Sequence, residues 1–247
     1  MNPLGSFSFG KIIKTFIPGL LAAAAVLLIV ELLYRISSAT PCTPGSGFSG
    51  CFFAGSFLRR VALVDTARTT ALGALLIPLG LLLGFLLNTA MWFCVNDVCR
   101  ARADRGMDEN FLAASRAIEA NARFAFRAVV GQTPDLPRVR LQDFYLPLMD
   151  LDKLTFLRES YFSWFEFHLN SVGALVLVGV AYAVTVGALA WHWSMSINWV
   201  SHLVVPLVVM AGVGWFLVVA GIRNLRRYQE GFVWLLIGTL HFRGGRS

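Results

Sequence analysis

Four long stretches of this chain are apolar almost throughout: residues 16–34, 71–95, 169–193 and 199–222. Each is close to the roughly 20 residues that cross a hydrocarbon core as a helix. Barrel strands would alternate polar and apolar positions, and these runs do not. Backbone amides in lipid find no water, so each run must satisfy its own hydrogen bonds as a helix. The pattern predicts an all-α polytopic membrane protein with four transmembrane helices.

Between the second and third runs the pattern changes. From Asp108 to Val130, Phe111, Ile118, Ala125 and Val129 recur on one helical face, while Arg116, Glu119, Arg123 and Arg127 form a charged ladder at i+3 and i+4 spacing. Gly131 ends this helix, and Pro134, Pro137 and Pro147 predict an irregular stretch after it. Asp150 is a good N-cap for a second helix, one that can run without a break into the third span. The expected division is therefore a first transmembrane pair with an outward loop over 1–95, a small helical cytoplasmic insertion over 96–166, a second transmembrane pair over 167–223 and a cytoplasmic amphipathic tail over 224–247. About 70 residues bury too little surface to stand alone, so the insertion should lean on the spans, on another copy or on a partner. In the tail, residues 232–240 are apolar but too short to span. They are expected along the membrane interface, as an edge strand or in a partner's groove, a second pointer to assembly.

Composition agrees with the pattern. Hydrophobic residues make up 57% and charged residues 14%, whereas about a quarter of a soluble chain is charged. Of the 21 Lys and Arg residues, Arg35, Arg59, Arg60 and Arg68 fall on one side of a four-span arrangement and the remaining seventeen on the other. Positive charge is retained on the cytoplasmic side, which puts both termini in the cytoplasm. The net charge of +7 does not point to nucleic acid, because the basic residues border the spans, where they meet anionic lipid. Lys11, Lys14, an apolar core and Ser37-Ser-Ala39 also resemble a secretory signal peptide. Its core of about 19 residues exceeds the usual 7 to 15, and Glu31 and Arg35 precede the site, so the first span is expected to stay.

The first outward loop contains Gly45, Gly47 and Gly50 at the spacing of a dinucleotide-binding turn. Such a turn needs a strand before it and a helix after it. Here a membrane helix precedes it and Pro41 and Pro44 break any strand, so the spacing reads as chance. Cys42 and Cys51 enclose eight Gly-, Pro- and Ser-rich residues on the oxidising side, and a disulfide is expected in preference to two free thiols. Together with four helices, an oxidised loop points to a plasma membrane of the bacterial inner-membrane type.

Few residues inside the spans carry chemistry. Glu31 is the one carboxylate within an apolar run; an ion or proton path is the functional reading, and a Glu31–Arg35 pair snorkelling to water at i+4 the structural one, which is preferred. Asn88 shares the second span with Pro78, Gly80 and Gly84, whose small-xxx-small face and kink suggest a packing seam or a pore lining, packing being favoured. His192 and His202 flank a short turn and offer a haem-ligand pair, although Trp191 and Trp193 place His192 in an interfacial aromatic belt instead. His168 and His241 are weaker candidates. Cys94 and Cys99, five apart, match neither a CxxC redox pair nor a zinc half-site and are expected as reduced thiols. Tyr161, Phe162, Trp164, Phe165 and Phe167 form an aromatic girdle before the third span. No phosphate loop, HExxH or GxSxG motif is present. The sequence thus points away from an enzyme and toward a non-enzymatic inner-membrane subunit without a cofactor, one that anchors or assembles a complex through its cytoplasmic helices and tail. Its partners are the lipid bilayer and either further copies or a membrane complex. A homo-oligomeric ion or small-solute channel lined by the second span is the alternative, with Glu31 and Asn88 as polar candidates, and a haem-binding redox subunit comes third.

Overall fold

A computed structural model describes residues 9–38, 47–54, 56, 66–130, 150–194 and 197–244. Among them there is no strand, and four helices are long and apolar enough to cross a membrane. In chain order the elements are α1 (Phe9–Ser37), α2 (Phe48–Ala54), α3 (Thr66–Asp104), α4 (Glu109–Val130), α5 (Leu151–Leu157), α6 (Ser163–His192) and α7 (Val205–Gly244). A wide π turn, Arg158–Phe162, joins α5 to α6, and another, Val200–Val204, leads into α7.

The helices extend well beyond the apolar runs. α3 has 39 residues and α7 has 40, about 60 Å of helix. Polarity ends a membrane span but does not end a helix: no proline and no glycine stands between Val95 and Asp104, and Arg and Ala are strong helix formers. For the same reason the apolar stretch expected as a tail over 232–240 is a continuation of α7 and neither a strand nor a separate segment. Asp150 caps α5, accepting from the backbone N–H groups of Asp152 at 3.0 Å and Lys153 at 3.4 Å. Asp108 serves α4 in the same way, accepting from Asn110 at 2.7 Å.

The chain divides into two compact units, Met1–Cys94 with Glu166–Ala220, and Val95–Phe165 with Gly221–Ser247. In the first, α1 and α6 run parallel in nearly constant register. Lys14 meets Glu166, the Lys14 carbonyl meets Asn170, and the Leu28 carbonyl meets Thr185, so partners stand 152, 156 and 157 residues apart along the whole contact. α3 runs antiparallel to α1 and touches it backbone to backbone. A Cβ at Gly19 would lie 1.8 Å from the Gly80 carbonyl oxygen, and one at Gly84 would lie 2.0 Å from that of Thr15. Only glycine fits there. Ala22, Leu87 and Ala174 form one buried cluster, and Leu32, Phe48, Val186, Leu189 and Ala190 another.

The second unit is built differently. Ile118 of α4 and Phe232, Val233 and Leu236 of α7 are buried together, with Phe111 and Leu154 packed against them. Phe162 stacks obliquely on Phe165 and Tyr228 at 5.8 and 5.1 Å between ring centroids. Phe111 and Ile118 thus occupy the apolar face of α4; the side chains of Ala125 and Val129 lie outside the described residues.

Candidate functional site

Two constellations of buried polar residues stand out in the first unit. The first starts from Pro18, buried inside α1. Proline clashes with the carbonyl four residues back and supplies no N–H to it, which frees the carbonyl of Lys14. In lipid a freed carbonyl needs a donor, and Asn170 of α6 provides one at 3.3 Å while donating to the Asn88 side-chain oxygen at 2.9 Å. One turn before Asn170, Glu166 accepts from the Lys14 ammonium, and both side chains are largely buried. Asn88 therefore stands beside a three-helix polar joint of α1, α3 and α6, directly after the close approach made by Gly80 and Gly84. Pro78 is exposed on α3.

The second constellation surrounds Arg35. Glu31 and Arg35 are ion-paired, with Nε donating to the Glu31 carboxylate at 2.6 Å. Both are buried, to 4% and 3% exposure, which corrects the expected snorkelling toward water. The reason is α2. As a short helix it ends in carbonyls with no intrahelical donor, and Arg35 supplies donors from its two terminal nitrogens, to Cys51 O at 3.0 Å and Phe52 O at 2.7 Å. Trp193 completes the enclosure, its ring centre 5.7 Å from the guanidinium carbon. The guanidinium is thus spent on one carboxylate, two carbonyls and one ring.

His202 belongs to the same end of the first unit. Its Nε2 bonds the Ser49 hydroxyl at 2.9 Å, its Nδ1 faces Asn198 O at 3.0 Å and Ser201 Oγ at 2.9 Å, and Phe48 packs edge-on at 5.5 Å. His192 stands exposed at the end of α6. The backbone around His202 repeats the proline device. Pro206 frees the His202 carbonyl, the preceding π turn gives it room, and the Tyr182 hydroxyl donates to it at 2.5 Å. His168 lies against Phe167, and the side chain of His241 is outside the described residues. Among the described residues no group of three or more His, Cys, Asp or Glu is placed to hold a metal ion.

Glu31 and Asn88 do not share a site. Asn170 ties Asn88 to the Lys14 carbonyl, and Glu31 lies 17 residues further along α1, about 25 Å at 1.5 Å per residue. Cys51 is buried on α2, and Cys42 falls outside the described residues. Cys94 and Cys99 are free thiols. Sequence reasoning missed Asn170, Thr185, Tyr182 and the Lys14–Glu166 pair. For Asn170 and Tyr182 the prolines at 18 and 206 were the available signal, since each announces a carbonyl in need of a donor; nothing in the sequence pointed to Thr185 or to the ion pair.

The remaining feature of the first unit is its least buried helix. None of the most apolar stretch of the α7 span is buried, against 39% for the spans that contain α1 and α6. Val205, Val208, Val209, Gly212, Phe216 and Val219 are exposed and fall within about 100° of one another on the helix. At Gly212 an added Cβ would meet nothing within 4 Å. No family model, no curated protein and no solved structure matches this chain.

Proposed function

We propose that this protein is a non-enzymatic subunit of a membrane assembly, anchored by its four apolar helices and joined to a further copy or a membrane partner along the exposed face of α7. The observation that carries this reading is the notch at Gly212 in that face. A lipid chain adapts to any apolar surface, whereas a second helix gains from a glycine that lets the backbones approach closely. The polar residues inside the spans support it from the other side: Lys14, Glu31, Arg35, Asn88, Asn170 and Thr185 bond one another or backbone carbonyls, which holds helices together. The docking role considered for residues 232–240 passes to the exposed face of α7 between Val205 and Val219, because Phe232, Val233 and Leu236 are already buried within the chain.

The same proposal places the protein in a plasma membrane of the bacterial inner-membrane type, both termini cytoplasmic, with the loop from Cys42 to Cys51 outside and closed by a disulfide. The distribution of basic residues supports this orientation.

The test is the native mass of the gently extracted wild-type protein beside Gly212→Leu. Nothing in the chain itself obstructs a larger residue at 212, so the variant should fold with unchanged helicity while the complex falls apart to single chains. A wild-type protein that is already a single chain, or a Gly212→Leu complex of unchanged mass, would overturn the assignment.

A further inference from the structure

The second unit contains a cavity of about 310 Å³ whose wall mixes permanent charge with aromatic rings. Arg100 and Asp104 come from the last turns of α3, Phe111 and Arg116 from α4, Phe162 from the π turn, and Gln229 from α7. Guanidinium groups do not deprotonate in proteins, so the two arginines are fixed cations. Asp104 accepts a hydrogen bond from the Gln229 side-chain nitrogen at 2.9 Å. An ionised carboxylate can only accept, which determines which end of the amide faces it. The other end, Gln229 Oε1, is left buried with no partner. A buried acceptor without a donor is a standing cost, relieved by whatever brings one.

The wall therefore combines three features: two guanidinium groups that can add an anion to the contacts they already make, a carboxylate and an orphaned carbonyl oxygen that suit a charged donor, and an apolar remainder for the rings. A simple anion meets only the first and is repelled by Asp104. A simple amine meets only the second. We infer that this cavity binds the head group of an aminophospholipid, its phosphate on Arg100 and Arg116 and its ammonium on Asp104 and Gln229 Oε1. A water-soluble amino-phosphoester shares the charged part of this chemistry. The aromatic wall, and lining residues drawn from α3 and α7, both of which are apolar enough to cross a membrane, favour the lipid. This inference does not depend on the assembly proposed for α7.

The experiment uses the full chain in detergent after lipid removal, with bound molecules counted by native mass spectrometry. The probes are phosphatidylethanolamine, phosphatidylglycerol and glycerophosphoethanolamine. Phosphatidylethanolamine should bind at least roughly tenfold more tightly than the other two, a factor that the loss of a charge-assisted contact would produce. Arg116→Gln, at an exposed position of α4, should weaken both phospholipids, and Gln229→Met should weaken phosphatidylethanolamine while leaving phosphatidylglycerol unchanged. Equal retention of the two phospholipids by the wild type would overturn the inference whatever the variants do. Undiminished binding by Arg116→Gln would overturn it too, and glycerophosphoethanolamine binding as tightly as the lipid would overturn the lipid assignment.

Discussion

The two compact units solve the packing problem in opposite ways. The first adds to its small buried clusters a contact where side chains are absent: Gly19 against Gly80, and Gly84 against Thr15, bring backbones together, and sparse polar groups bridge the helices. The second is held where side chains are large, by Ile118, Phe232, Val233 and Leu236 with aromatic neighbours. The two modes of contact draw on different physics. Between apolar helices in lipid there is no hydrophobic gain from exchanging a hydrocarbon tail for a leucine, so contact must come from close approach and hydrogen bonds. A core of aromatic and aliphatic side chains gains its stability from water exclusion. Enlarging the residue at Gly19 or Gly84 should therefore open the first unit, and shrinking Phe232 should hollow the second.

The largest effect should come from Gly84→Leu. The obstructing atom is a backbone carbonyl oxygen 2.0 Å from the new Cβ and cannot rotate away, so α1 and α3 must separate at a cost of about 3 kcal/mol or more. Loss of the folded protein in a detergent thermal-stability assay is the expected result, and an unchanged melting temperature would remove backbone contact as the basis of the first unit. Phe232→Ala comes next, at roughly 3 kcal/mol for a buried phenyl ring. Should it cost more than Gly84→Leu in the same assay, the contrast between the units would be reversed. The smallest is Asn170→Leu, which strands the Lys14 carbonyl and the Asn88 oxygen for about 1 kcal/mol, the range of single interhelical hydrogen bonds in lipid. A neutral outcome would show that the proline-freed carbonyl has found another donor.

The four spans were legible because an apolar run of about 20 residues has few other uses. Gly131 as the stop of α4 and Asp150 as the cap of α5 were legible too, but the ends of the spanning helices were not, because a membrane boundary changes the polarity of a helix and leaves its backbone unchanged; α3 and α7 run on to Asp104 and Gly244. The Glu31–Arg35 pair could be read from its i+4 spacing, but its burial could not, since the acceptors that enclose Arg35 lie 16 and 17 residues away on α2. Asn170 and Glu166 were hidden for a related reason. Their roles appear only once α1 and α6 are known to be parallel and their register is fixed. The lipid-type cavity draws on four elements of the second unit, a convergence that hydropathy and spacing do not encode.

The enclosure of Arg35 sets an order of events in biogenesis. When the first span leaves the ribosome and enters the bilayer, the guanidinium has Glu31 beside it and nothing else from the list of its final partners. The two carbonyls that accept from it arrive with residues 51 and 52, and the ring that covers it arrives with residue 193. Until then the charge is held only in part, and the end of the first helix has reason to stay near water. Its final seat in the bundle forms only after most of the chain has been made, so a chain interrupted before the third span would carry a first helix that has not yet settled to its depth.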